Sequence, residues 1–209
     1  MGGTRSSGSV GRDIVAPPMS NFDRRSWESD SLIFPGDMEA WDWAEPSSRA
    51  WYRSLTEGER AALDDYLGFD YSDVNNRLRG IWPMNEDVEE KVRLLDGALS
   101  RGSVPDDIIV YRGLSSAELN RELSSRVGGI WEERGYTSAS LGTYAARQFA
   151  GSSTDTAVTM DIKVPKGSRG AFIDSEEVEI LIPRGSRYRI VGTWVDPDTG
   201  RHVAAELIP

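Results

Sequence analysis

Two periodicities divide this chain. Between residues 56 and 102 apolar side chains return every three or four positions, the repeat of a helix with one buried face. Beyond residue 105 they return every second position, the repeat of a strand. Thr56-Glu57-Gly58-Glu59 has capping-box spacing ahead of Ala61, Ala62 and Leu63, and predicts a helix start. A second helical segment is predicted over 72–79. Asn85 is placed to cap a third, in which Val88, Val92, Leu95 and Leu99 share a face and Gly102 marks the end. Strands are predicted at 108–111, 130–131, 136–138, 171–173, 177–182, 188–194 and 203–208. Val158, Met160, Ile162 and Val164 alternate with other residues as in a half-buried strand. Short helices are expected over 116–123 and 142–150, and Asp196-Pro197-Asp198-Thr199-Gly200 reads as a turn. Helices first and strands later make the fold class α+β, with an antiparallel-rich sheet.

The residues before this pattern behave differently. The first eighteen, MGGTRSSGSVGRDIVAPP, are Gly/Ser-rich and aperiodic, as in a linker. Trp27, Trp41, Trp43 and Trp51 follow among acids and prolines, and are expected to pack an irregular arm onto the domain. The expected division is therefore a flexible linker and Trp-rich arm over 1–48 and an organised domain over 49–209.

Composition narrows the chemistry. Lys and Arg number 24 against 34 Asp and Glu, so the net charge is -10 and neither nucleic acid nor an anionic membrane suits as partner. No apolar run approaches the length of a membrane span, and the first thirty residues lack the apolar core of a signal peptide. With no cysteine and the single histidine His202, the chain has no thiolate nucleophile and no Cys- or His-rich metal site, and a Ser-His-Asp hydrolase is disfavoured. His202 is expected to pack or to lie at the surface. Catalysis is left to carboxylates, arginines, hydroxyls and backbone.

Three candidates stand out, each with an ordinary reading beside the functional one. Arg112 follows Val110-Tyr111 at a strand end, next to Gly113, whose lack of a side chain permits close approach. It suits a bidentate phosphate clamp or a structural ion pair. Tyr136-Thr137-Ser138-Ala139-Ser140 is a hydroxyl-rich strand, either a ligand-orienting surface or a solvated sheet face. Glu177 and Glu179, two apart on a strand, are expected on one face, where like charges repel. They are either a solvated edge or a site that needs two anions. No Gly-x-Gly-x-x-Gly loop or Walker motif is present.

In the order Arg, Ser-x-Ser, Glu-x-Glu, these motifs resemble the mono-ADP-ribosyltransferases of the Arg-Ser-Glu class, the group of actin-modifying binary toxins and related bacterial effectors. The resemblance covers about three quarters of the chain, from near Arg49 onward. It includes Tyr66, Tyr71 and Asn75-Asn76-Arg77-Leu78-Arg79, similar to the family's Tyr…Tyr…Asn-x-x-Leu-Arg segment, and Glu177-Val178-Glu179 followed by Ile180-Leu181-Ile182-Pro183-Arg184-Gly185. It implies N-terminal helices followed by two packed, mainly antiparallel sheets around an NAD cleft. Within that cleft it implies that Tyr71 and Asn75 face NAD, that Arg79 contacts phosphate, that Arg112 and Gly113 hold the pyrophosphate, and that Ser138 holds Glu179. Ser140 belongs to the same motif, and Phe149 falls where relatives place an aromatic over nicotinamide. Tyr66 matches the first tyrosine of its segment, with no role assigned. Ala139 departs from the usual middle residue of Ser-Thr-Ser. Ser152 stands where relatives often carry an arginine, a contact Arg147 could take.

The resemblance implies NAD+ as co-substrate and no metal. In the implied reaction Glu179 stabilises the oxocarbenium-like charge on the ribose. Glu177 aligns the incoming guanidinium and accepts its proton. Glu-x-Glu accordingly implies an arginine acceptor on a protein, whereas members with Gln at the first position tend to modify other residues. Hydrolysis of NAD by the same cleft, or a non-catalytic NAD-binding or interaction module, are the alternatives. The short segment Asp174-Ser175-Glu176 puts actin specificity in doubt, though actin stays among the candidate targets. An immunity or delivery partner, and a secreted or delivered effector acting in a target cell, complete the expectation.

Overall fold

The computed structural model describes residues 22–114, 123, 125–143, 158–174, 178–197 and 199–209. The expected helices over 116–123 and 142–150 lie almost wholly outside these residues. So do Glu177, Phe149, Arg147 and Ser152.

The helical part begins earlier than the periodicity suggested. α1 (Arg24–Glu28) is followed by α2 (Asp37–Arg53), seventeen residues with Pro46 inside and Trp41, Trp43 and Trp51 along its length. The irregular arm expected before residue 49 is thus largely helical from residue 24, and its tryptophans do pack. Trp51 joins a helical core, Trp41 and Trp43 pack on the main one, and Trp27 lies on Ile109 and Tyr111. Leu32 pairs in parallel with Ile108. Pro46 and scattered acids blur the helical repeat of α2 in the sequence.

α3 (Glu57–Asp65) starts as predicted. The Thr56 hydroxyl accepts from the Glu59 N–H and the Glu59 carboxylate accepts from the Thr56 N–H, a complete capping box. α3 does not stop before the next helix. A π-helical turn, Tyr66–Asp70, joins it to α4 (Tyr71–Leu78). α5 (Glu86–Leu99) is capped by the Asn85 side chain, which accepts from the Val88 N–H at 2.9 Å, and buries Val88, Val92, Leu95 and Leu99. Gly102 does not end it. A side chain at Gly102 would sit 2.3 Å from the Gly170 carbonyl oxygen, so the glycine is there for close backbone packing.

Eight strands follow among the described residues: β1 (Ile108–Leu114), β2 (Ile130–Glu133), β3 (Thr137–Ser140), β4 (Val158–Val164), β5 (Ala171–Asp174), β6 (Glu179–Ile182), β7 (Ser186–Asp196) and β8 (Gly200–Ile208). Their hydrogen-bonded order is β2-β7-β8-β4-β1-β3-β6-β5, antiparallel throughout except for β4 beside β8. A single pair, Tyr111 opposite Ser140, joins β1 to β3. The expected pair of sheets is therefore five strands and three strands meeting at one narrow junction.

β4 differs from its half-buried expectation. Six of its seven positions are buried, because α1 and the segment after it cover the face that alternation assigned to solvent. Lys163 donates to the Trp27 carbonyl at 3.0 Å, and Trp27 donates to Glu206 at 3.2 Å. His202 packs within the protein, between Asp161 (2.8 Å) and Thr199 (2.7 Å), and stacks on Trp194. Burial pushes the Asp161 carboxyl up.

Candidate active site

The junction of the two strand groups gathers the chemistry. β3 pairs with β6 so that Ser138 lies opposite Leu181 and Ser140 opposite Glu179. Directly opposed residues share a face, and alternate residues along each strand share it too. Ser138, Ser140 and Glu179 therefore lie on one face, with Ser138 diagonal to Glu179. Ala139, opposite Ile180, faces the other way and is buried in the main core. That explains the departure from Ser-Thr-Ser: a methyl needs no hydrogen-bond partner there.

Arg112 reaches across from β1. Its Nη1 donates to the Ser138 carbonyl at 3.2 Å, while its Nε is buried with no partner among the described residues. An unpaired buried guanidinium nitrogen is costly unless an anion meets it, so the group suits a phosphate better than a closed ion pair does. Gly113, the next residue, lies opposite Thr159 of β4.

The helices close the site from the other side. Tyr66, 1% exposed at the start of the π turn, accepts from Asn75 Nδ2 at 3.0 Å. Burial pushes its phenol up to about 12, against the hydrogen bonds from Asn75 and Ser138; the Glu179 carboxylate adds to the rise and the Arg112 guanidinium opposes it. Tyr66, Asn75, Ser138, Arg112 and Glu179 thus form one interacting cluster. Sequence reading placed Tyr66 in the family segment without a role; here it links the helices to the serine strand. No local signal marks this, because the link depends on a hydroxyl crossing between elements.

Other expected contacts are arranged differently. Asn75 is buried, and its amide is used at both ends: Oδ1 accepts from the Tyr136 N–H at 2.8 Å and Nδ2 serves Tyr66. Gly135 allows this, since a side chain there would lie 2.6 Å from Asn75 Oδ1. Arg79 forks onto Glu133 through Nε and Nη2, at 2.9 and 3.1 Å. Glu133 is buried and also accepts from the Gly135 N–H at 2.8 Å, so it acts as a second anchor that sequence reading did not single out. Tyr71 is 54% exposed at the first position of α4. The Ser140 hydroxyl accepts from the Gly142 N–H at 3.1 Å.

The acidic strand also begins later than predicted. β6 starts at Glu179, and Val178 before it has φ 47°. Left-handed backbone at a β-branched residue is strained, on the order of 1–3 kcal/mol. It is held here by burial of the Val178 side chain and by its carbonyl, which accepts from the Leu141 N–H at 3.1 Å. The regular alternation used to put Glu177 and Glu179 on one face cannot be carried back through Val178. Glu177, like Phe149, lies outside the described residues.

Comparisons with known proteins agree with this geometry. The sequence profile of the ADP-ribosyltransferase exoenzyme family matches residues 40–206. The chain is 25% identical over 232 residues to Mono-ADP-ribosyltransferase C3 of Clostridium botulinum C phage, covering 95% of this chain and 91% of that protein. It is 27% identical over 158 residues to NAD(+)--arginine ADP-ribosyltransferase EFV of Enterococcus faecalis, covering 68% of this chain and 30% of that one. Its fold matches the crystal structure of C3stau2 from S. aureus with NAD at a TM-score of 0.71 and 20% identity, over 86% of this chain and 99% of that one. The junction that brings Arg112, Ser138 and Glu179 together thus lies within the matched residues, and the chain belongs to the ADP-ribosyltransferase exoenzyme family.

Proposed function

We propose that the protein transfers ADP-ribose from NAD+ to an arginine of a target protein and releases nicotinamide. The observation that carries the reading is the meeting of a half-buried Arg112, its Nε buried and without a partner among the described residues, with Ser138 and Glu179 at the sheet junction. Arg112 suits the pyrophosphate. As the nicotinamide–ribose bond breaks, positive charge grows on the ribose, and the Glu179 carboxylate stabilises it. Tyr66 and Asn75 hold Ser138 in place beside that carboxylate. The new bond forms between the ribose carbon and a guanidine nitrogen of the acceptor. Glu177, two residues before Glu179, takes the proton the guanidine loses.

The arginine acceptor rests on Glu177-Val178-Glu179 and is supported by the name of the E. faecalis relative, an NAD(+)--arginine ADP-ribosyltransferase. The name of a further relative, the epidermal cell differentiation inhibitor of Staphylococcus aureus, supports reading the protein as a toxin or effector delivered to a target cell.

The test uses labelled NAD+ with agmatine, a small guanidine, as acceptor. Label on agmatine is expected with the native protein. Glu179→Gln should lower both transfer and nicotinamide release by on the order of 10²-fold or more. Glu177→Gln should abolish transfer while sparing most NAD hydrolysis. Free ADP-ribose as the sole product of the native protein would favour a glycohydrolase. Equal loss of transfer and hydrolysis in Glu177→Gln would remove the acceptor role given to that residue.

A further inference from the structure

Behind α4 the chain presents an apolar ledge. Ile81, Trp82 and Met84 are 63%, 44% and 39% exposed. They are not on a frayed tail. The Ile81 and Trp82 N–H groups donate to the Asn76 carbonyl at 2.8 and 3.4 Å, and the Arg77 guanidinium donates to the Pro83 carbonyl. The backbone is tied down while the side chains face water, an arrangement that lowers the entropy cost of binding. Met84 also lines a groove of about 330 Å³ between the end of α4 and the outer face of α5. Leu78 and Val92 supply its apolar floor, and Glu89, Asp96 and Arg184 stand at its sides.

The charges around the ledge decide what fits it. The cations of α4 and α5 and at the groove wall are neutralised within the chain: Arg77 by Asp73, Arg79 by Glu133, Lys91 by Asp65 and Asp70, Arg93 by Glu90, and Arg184 by Asp96. Glu86, Asp87 and Glu89, on the first turn of α5, are exposed and have no ion-pair partner among the described residues. The local surplus is therefore negative, three acids beside an apolar step. That sign opposes an anionic membrane or a nucleic acid, and it complements a cationic partner.

We propose that this ledge docks an amphipathic helix of a partner protein, its apolar ridge lying over Trp82 and Met84 into the groove and its lysines or arginines beside Glu86, Asp87 and Glu89. This is the helix-in-groove mode of recognition, with charge setting orientation and partner class. It does not depend on the transfer reaction, and its test uses no NAD.

The probe is a fluorescein-labelled eighteen-residue Leu/Lys helix containing no arginine, titrated with the full-length protein and followed by anisotropy. Saturable one-to-one binding is expected. Replacing Ile81 and Trp82 together by Asp should weaken it by about tenfold or more, the usual weight of a buried aromatic anchor. Replacing Glu86, Asp87 and Glu89 together by Gln should weaken it and flatten its salt dependence. Both sets are surface changes, so thermal midpoints close to the native value establish that the variants fold. The proposal is overturned if the Leu/Lys helix fails to bind, or if a sequence-scrambled Leu/Lys peptide or a Leu/Glu helix binds equally well. Unchanged binding by the Ile81/Trp82 variant overturns it too. So does preferential adsorption of the native protein, over that variant, to phosphatidylserine vesicles.

Discussion

Tyr66 brings a hydroxyl into a place where water barely reaches, and two neighbours make that tolerable. Asn75 donates to it, and the Ser138 side chain approaches it from β3. Tyr66→Phe keeps the ring packed on Tyr136 but strands the Asn75 amide, so unfolding in urea should show a loss of about 1–3 kcal/mol. A loss within error would mean that the amide finds another partner. Glu59 makes the same point with charge. Arg101 is the main reason its carboxyl falls to about 2, with the Thr56 cap adding to it. A depressed carboxyl stabilises the fold at pH above its unfolded value, about 4.3, and loses that contribution as pH falls toward 2. Glu59→Gln should therefore cost on the order of 1–2 kcal/mol at pH 7, a figure discounted because Arg101 is 39% exposed, and the gap should close between pH 4.3 and 2. Denaturation at several pH values measures that gap; one that widened on acidification would refute the assignment. The cap was legible from residue spacing, whereas the Arg101 partner, 42 residues away, was not.

At the scale of elements, spacing located helices and strands well but misjudged their ends. Asn85 capped its helix as read, because a cap is a local contact three residues long. Gly102 looked like a helix stop and is instead a contact surface for the Gly170 backbone. Gly102→Ala should accordingly destabilise by about 1–3 kcal/mol, the cost of overpacking against a backbone carbonyl that cannot turn away. A simple helix-terminating role without that contact would predict a smaller effect, and thermal unfolding distinguishes the two. β6 teaches the reverse lesson. The apolar run Ile180-Leu181-Ile182 announced the strand, but the left-handed Val178 that sets where it begins has no compositional mark, since valine is an unusual choice for that backbone. Likewise β4 looked half-buried until α1 covered its second face.

For the whole molecule, buried phenols set the alkaline limit. Burial pushes Tyr66 and Tyr188 up to about 12, and also raises Tyr111 and Tyr136. A raised phenol stabilises the fold in full below its unfolded value, about 10, and loses that contribution as pH climbs through the folded value. The urea midpoint should fall steeply from pH 10 toward 12, with the share of phenolate absorbance due to these four buried tyrosines rising only as the chain unfolds. A midpoint unchanged across that range would show that the phenols are not protected as described.

The sequence by itself determined the class of the protein. The order of helical and strand periodicity made it α+β, and the Arg112, Ser138 and Glu179 motifs pointed to the family, because periodicity and motif spacing are properties of short stretches. Only the tertiary structure decided which groups meet. Arg79 goes to Glu133, Asn75 joins Tyr136 to Tyr66, and five strands join three through Tyr111 and Ser140. Contacts between residues tens of positions apart are chosen by packing and by the need to satisfy every buried polar group, and no local stretch of chain carries that choice.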